Sequence, residues 1–295
     1  MKKSATADII LKCFSPIPRK IRIGFFTCMF RLFYYFSPRQ RLITIHNLKS
    51  AFPGKNTAEI KAIAKGVYRT LGIVTADFFD IPSLTKENIG DFVEVEGLEN
   101  LKKALEKNRG IILFGAHFGN WELSVIAISL LLKPLIVIYR PLDSGILDDL
   151  VMTVRSSTGN APIPKDRAMR QMLRSIKKNE ILGILLDQNV AWQEGVFVDF
   201  FGRPACTNNG LALLALHTNA PVIPGYVLRL ENGKYRLVVK EEMQIVHTGN
   251  EDEDILINTQ NFTRVIEDII RQQPDQWLWI HQRWKTKPWQ VPKTQ

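Results

Sequence analysis

Cysteine is scarce in this chain. Its 295 residues hold three, Cys13, Cys28 and Cys206, none in C-x-x-C spacing. That argues against a disulfide framework or a thiol redox motif and fits a reducing compartment. H-E-x-x-H is missing and the five histidines are scattered, so no metal-ligand spacing is present. G-x-S-x-G, the Walker A motif and G-x-G-x-x-G are missing too. Their absence removes the serine-hydrolase elbow, the P-loop and the dinucleotide fingerprint. There is no repeat of 20–50 residues and no low-complexity tract.

Acid is nearly absent from the first 49 residues. They hold ten Lys and Arg against Asp8 alone, and so carry nine of the ten net positive charges of the chain. Inside this segment, residues 23–36 are apolar except for Gly24, Thr27 and Arg31. Fourteen helical residues reach about 21 Å, short of a hydrocarbon core of about 30 Å. A helix lying in the headgroup layer, with its cations near anionic lipid, fits better than a span. The alternatives are a helix packed on the domain with Arg31 snorkelling, or a tilted span that includes residues 9–14. Basic charge also suits nucleic acid, but the crowded aromatics from Phe25 to Phe36 suit lipid better, and no nucleic-acid partner is expected. Ser15-Pro16-Ile17-Pro18 interrupts the early apolar run, and no small-residue cleavage site follows, so no cleavable signal is read.

The chain is organised around Gly115-Ala116-His117-Phe118-Gly119-Asn120-Trp121-Glu122. Ile111-Ile112-Leu113-Phe114 before it reads as a buried strand, and residues 123–128 after it as a helix. Residues five apart on one helix point roughly 140° away from each other. His117 and Glu122 therefore meet only if His117 lies in the turn and Glu122 in the first turns of the helix. A carboxylate holding an imidazole is the base half of a catalytic triad, with the nucleophile left to a substrate hydroxyl. The plain alternative is a surface pair or a satisfied core pair.

Further apolar strands are predicted at 135–139, ending at Arg140, and at 181–186, ending at Asp187. In a sheet alternating with helices, such carboxyl ends line one crevice. Helix is expected over 38–81, with Thr57 as a cap, and at 98–107, 147–156, 251–272 and 167–178, the last capped by Asp166. A short strand is read at 92–95. Residues 189–209 read as a long loop, with Thr207 capping a helix from 208 to 218. Strands at 222–229 and 235–240 flank Asn232-Gly233, a hairpin signal.

His117-x4-Glu122 resembles the H-x4-[D/E] signature of glycerolipid acyltransferases, and the wider chain resembles the bacterial lipid A late acyltransferases. Asn47-Leu48-Lys49-Ser50-Ala51-Phe52-Pro53, Tyr139-Arg140-Pro141, Asp187-Gln188 with Phe200-Phe201-Gly202-Arg203-Pro204-Ala205, and Trp279-Ile280-His281-Gln282-Arg283-Trp284-Lys285 are similar to that family's other blocks. The resemblance implies an α/β fold with a central, mostly parallel sheet and flanking helices. An N-terminal membrane-associating segment, residues 1–45, would precede an acyltransferase domain, residues 46–295.

It implies further that His117 and Glu122 are catalytic, and that a fatty acyl chain moves from an acyl-carrier-protein thioester, with acyl-coenzyme A left open as donor, to a hydroxyl of a lipid A precursor or related glycolipid. The thioester is a co-substrate; no cofactor and no metal are expected. Arg140, Arg155 and Arg167 are candidate phosphate ligands, Asp187 a holder of one of those arginines, and Gln188 a substrate contact. A fatty-chain tunnel is expected beside His117. The expected place is the cytoplasmic side of the cell inner membrane, monotopic or on a single N-terminal anchor. Some lipid A members have Asp-His where this chain has Asp187-Gln188. That leaves open another lipid acceptor, such as a lysophospholipid or aminoacyl lipid. A non-catalytic peripheral membrane protein is the reading of another class.

Overall fold

The computed structural model describes residues 4–165 and 168–291. Four helices come first: α1 (Ala5–Phe14), α2 (Arg19–Phe36), α3 (Pro38–Ala51) and α4 (Thr57–Phe78). A short α5 (Ile89–Phe92) leads into β1 (Val93–Glu96), then α6 (Leu98–Glu106), β2 (Ile111–Gly115), α7 (Trp121–Leu131), β3 (Leu135–Tyr139) and α8 (Gly145–Arg155). There follow β4 (Ala161–Pro164), α9 (Ala168–Lys177), β5 (Ile181–Leu185), β6 (Gly195–Asp199) and β7 (Pro204–Asn208). The last elements are α10 (Gly210–Thr218), β8 (Val222–Arg229), β9 (Tyr235–Val239) and α11 (Glu251–Gln272).

Seven strands form one sheet in the order β1-β9-β8-β2-β5-β3-β4. Every neighbouring pair is parallel except the hairpin β8–β9. The α/β class with a mostly parallel sheet is therefore the observed one. Continuous apolar runs make the middle strands, because both faces of the sheet are covered. In β2, Ile112 and Phe114 face a core built with α3, α4, α10, α11 and the C-terminal tryptophans. Ile111 and Leu113 face a second core built with α1, α6, α7 and α8. Alternation along an extended chain is what splits them.

The N-terminal helices pack on this body. Arg19 holds Asp77, at the end of α4, with two hydrogen bonds of 2.7 and 2.9 Å, and the Tyr235 hydroxyl donates to the same carboxylate at 2.6 Å. Buried Arg22 pairs with Asp80. Residue 45, where the N-terminal segment was expected to end, lies inside α3.

Several local expectations are corrected. Asn56, not Thr57, caps α4: its side chain accepts from the Ala58 and Glu59 amides, and Glu59 returns a bond to the Asn56 amide. The expected loop at 189–209 contains the hairpin β6–β7, and Thr207 lies in β7 instead of capping α10. The hairpin turn puts Phe201 and Gly202 at φ of 56° and 72°. Asp166, the expected cap of α9, lies outside the described residues.

Candidate active site

β2, β5 and β3 lie side by side, so their carboxyl ends open at one edge of the sheet. His117 follows β2 by two residues and Asp187 follows β5 by two. Glycine makes the turn between β2 and α7 feasible. Gly119 has φ of 56°, and a Cβ there would sit 1.8 Å from the carbonyl oxygen of Val227. Only glycine adopts that conformation and permits that approach without strain. Asn120 then caps α7, accepting from the Leu123 amide at 3.1 Å.

The C-terminal chain clamps the turn. Gly119 N–H donates to the Gln276 carbonyl at 2.9 Å, and Leu278 N–H to the His117 carbonyl at 3.2 Å. Trp277 lies opposite Phe118 as an antiparallel bridge. Two sequence blocks also interlock here. The buried Asn47 amide donates to the carbonyls of Trp279 and His281, at 3.0 and 2.8 Å.

The carboxylate at the imidazole is Asp187. Its Oδ1 lies 2.8 Å from His117 Nδ1, and its Oδ2 accepts the His117 backbone N–H at 2.9 Å. Trp277 Nε1–H donates to the same Oδ2 at 2.7 Å. Burial by itself would raise the Asp187 pKa; the charge of His117 and these hydrogen bonds outweigh it and bring the pKa down to about 2. An ionised carboxylate only accepts, so the bonded Nδ1 is a donor, and in the neutral imidazole the lone pair is then on Nε2. The Asp187 side chain is 2% exposed and that of His117 19%, so the ring alone reaches solvent.

Glu122 does not hold the imidazole. It sits in the first turn of α7 as expected, but its carboxylate takes Arg155 of α8, Nε at 2.7 Å and Nη2 at 2.5 Å. Trp121 Nε1–H also donates to it, at 3.0 Å, and the Trp121 ring stands 5.4 Å from the His117 ring, edge on. Glu122 therefore reaches His117 only through Trp121. The placement that would let the two meet is present, yet each side chain takes another partner, Asp187 for His117 and Arg155 for Glu122. The expected pairs are exchanged: Asp187 holds the histidine and Glu122 holds an arginine.

The other candidate residues divide as follows. Arg155 is mostly buried and engaged by Glu122, which corrects the expectation of a free phosphate ligand. Arg140 follows β3 at the same sheet edge, 74% exposed, and among the described residues its salt-bridge partner is Asp143 at 3.9 Å. Gln188 faces the site, its Nε2 3.4 Å from His117 Nε2. Arg167 lies outside the described residues. A cavity of about 440 Å³ lies between α2 and α4, and one of about 400 Å³ lies beside β6 and α11. Neither is lined by His117, where Trp121 and Gln188 stand beside the ring.

Behind the pair are buried groups that the sequence did not place. Arg283 donates to the Cys206 carbonyl at 2.8 Å and to the Thr207 hydroxyl, and its guanidinium lies 5.0 Å from the centre of the Phe200 ring. Burial lowers its pKa to about 10. His281 Nε2 accepts the Asn189 amide at 2.9 Å, and burial first, with Arg283 and His117 adding, pulls its pKa down to about 4 against the pull of Asp187. The signal for these two was their place in one short block; nothing local marked Trp277.

The family model described as bacterial lipid A biosynthesis acyltransferase matches residues 7–286. The chain belongs to this family. Among relatives of the lipid A acyltransferase in hand, the lipid A biosynthesis palmitoleoyltransferase of Escherichia coli (strain K12) is 28% identical over 255 residues, 86% of this chain and 81% of that protein. The lipid A biosynthesis lauroyltransferase of the same strain is 26% identical over 280 residues, 94% of this chain and 89% of that protein. Among solved structures, the 1-acyl-sn-glycerophosphate acyltransferase PlsC of Thermotoga maritima aligns with a TM-score of 0.41 and 15% identity, covering 88% of this chain and 99% of that one. A lipid A acyltransferase transfers an acyl group to a lipid A acceptor. The blocks that carried the resemblance all fall within the matched residues.

Proposed function

We propose that this acyltransferase works at a membrane surface, moving a fatty acyl chain from an acyl-carrier-protein thioester to a hydroxyl of a lipid A precursor with His117 as general base. The observation that carries this is the His117–Asp187 pair, whose Nε2 faces Gln188 at the open edge of the sheet. Nε2 takes the hydroxyl proton as the oxygen attacks the thioester carbonyl carbon. The tetrahedral intermediate then collapses, the C–S bond breaks, and the leaving thiolate takes the proton back from the imidazolium. Asp187, ionised and fixed by three hydrogen bonds, stabilises that imidazolium. General-base help of this kind contributes about 10²–10⁴-fold.

Glu122 acts one shell out, setting the Trp121 ring that flanks the base. Arg140, exposed at the rim beside Asp143, is the best-placed cation for an acceptor phosphate or for an acidic carrier protein. Membrane association is supported by α2. Ile21, Phe25, Met29, Leu32 and Phe36 recur every three or four residues and are exposed, with Ile9 and Leu42 nearby. An amphipathic helix of that kind lies in the interface with its apolar stripe among acyl chains. Among the described residues no helix is long and apolar enough to cross a membrane. Gln188, close to Nε2, favours a second reading in which the acceptor is a different lipid with a free hydroxyl.

The test is transfer from defined acyl-carrier-protein thioesters to purified lipid A precursors and to lysophospholipids, with products identified by mass. The expected result is an ester on the lipid A precursor with the native protein and none above background with His117→Ala. Undiminished transfer by His117→Ala would remove the reading.

A further inference from the structure

Helix α2 carries three stripes. Arg22, Phe26 and Tyr34 are buried against the body. Ile21, Phe25, Met29, Leu32 and Phe36 point outward. Gly24, Cys28, Arg31 and Tyr35 form the third, which is one wall of a cleft of about 440 Å³. Each outward residue from Phe25 on follows a cleft residue by one, so the two stripes lie about 100° apart around the helix. The opposite wall is α4, which supplies Lys65, Tyr68 and Arg69.

The chemistry of the cleft has one sign. Arg31, Lys65 and Arg69 line it, three tyrosines line it, and no carboxylate does. None of the three cations has a salt-bridge partner within 4 Å among the described residues, though the charge of Arg69 acts from further off on the Asp275 carboxylate behind α4. The Tyr68 side chain is 1% exposed; no described residue holds its hydroxyl within 3.5 Å, and Thr44 of α3 is a polar side chain that it faces from further off. A buried hydroxyl without a partner costs free energy that a bound acceptor atom would recover. Three cations and a donor at the floor suit a phosphate group. The outward stripe beside the cleft mouth makes the source of that phosphate a lipid, since a headgroup seated here leaves its acyl chains on the apolar side of α2.

We propose that the cleft between α2 and α4 holds the phosphate-bearing headgroup of an anionic phospholipid. Arg31, Lys65 and Arg69 grip it, while the outward stripe of α2 lies among the acyl chains. The site is separate from His117, which does not line the cleft. It tethers and orients the protein instead of serving the reaction.

The probe is a soluble short-chain phosphatidylglycerol, compared with phosphatidylcholine of the same chains. Binding to the full chain is measured by titration calorimetry without acyl donor or lipid A precursor, so the outcome is independent of the transfer assay. The native protein should bind phosphatidylglycerol saturably and at least about tenfold more tightly than phosphatidylcholine, because the three cations face a net negative headgroup in one lipid and a neutral zwitterion in the other. Replacing Arg31, Lys65 and Arg69 together by Gln should abolish that preference. Replacing Lys12, Lys20 and Arg39 together, which do not line the cleft, should preserve it. Tyr68→Phe should weaken phosphatidylglycerol binding several-fold. Equal loss in the two triple variants would reduce the effect to diffuse charge and overturn the proposal, as would native protein with no preference. Glycerol 3-phosphate binding as tightly as the lipid would overturn the lipid source. If the cleft triple variant shows altered unfolding, the exposed single substitution Arg31→Gln, expected to lose part of the preference, takes its place.

Discussion

Asp187 grips His117 twice: one carboxylate oxygen takes the ring Nδ1–H at 2.8 Å and the other the backbone N–H at 2.9 Å. Ring and backbone are thus fixed by one side chain from a strand end 70 residues further along the chain. The proton on Nδ1 and the direction of Nε2 both follow from that bond.

Asp187→Asn and Glu122→Gln should therefore fail differently. Asn in place of Asp187 offers no charge to a forming imidazolium, and kcat should fall by about 10²–10⁴-fold with little change in acceptor KM. Glu122→Gln leaves the mostly buried Arg155 without its counter-charge and should cost about 3 kcal/mol of stability. Urea unfolding beside steady-state transfer separates the two effects. Equal losses of kcat at unchanged stability would contradict the assignment.

Acid should weaken the fold in two stages. His281 has its pKa lowered from 6.5 to about 4, so the folded protein resists a proton that the unfolded chain accepts. Its contribution is intact above pH 6.5 and declines as pH falls towards 4, by about 3 kcal/mol in total. Asp187, lowered from 3.8 to about 2, contributes above pH 3.8 and loses that contribution as pH falls towards 2. Urea midpoints measured between pH 7 and pH 4 should fall with acidification, and His281→Asn should flatten the slope.

Asn47→Ala should loosen the site from a distance. It strips the carbonyls of Trp279 and His281 of their donors and should cost about 2 kcal/mol. The loss reads out as a lower urea midpoint. The hydrogen exchange of the Leu278 amide, which bonds the His117 carbonyl, should rise with it.

Gly119→Ala should be among the most damaging single-methyl changes in the chain. A left-handed backbone and a Cβ 1.8 Å from the Val227 oxygen together should cost about 3 kcal/mol or more. Because the turn carries His117, whatever folds should also transfer poorly. Gly54→Ala, where a Cβ meets nothing within 4 Å, is the matched control.

The sheet was legible because its central strands are continuous apolar runs ended by polar residues. β2, β3 and β5 stand where 111–114, 135–139 and 181–186 predicted them, and Asn232-Gly233 marked the hairpin β8–β9. α11 spans the expected 251–272. The β6–β7 hairpin was hidden because its turn uses Phe201 in a left-handed conformation, where Asn-Gly is the usual signal. The partner of His117 was hidden for a different reason. Spacing along the chain describes neighbours in sequence, whereas β5 comes beside β2 only through the strand order. A carboxylate five residues away suggested itself, and the one across the sheet took the place. The strand-end pattern had already brought Asp187 to the same edge; what it lacked was the knowledge that no strand separates β2 from β5.

The tryptophan at position 277 gives the site a place in time. A ribosome makes this protein from the amino end, and the sheet, the histidine and its aspartate all emerge before that indole does. Until it emerges, Asp187 is short one donor and the histidine turn has no outer clamp. The growing chain can thus assemble its scaffold well before its reactive corner is finished, and competence waits for the segment that carries Trp277.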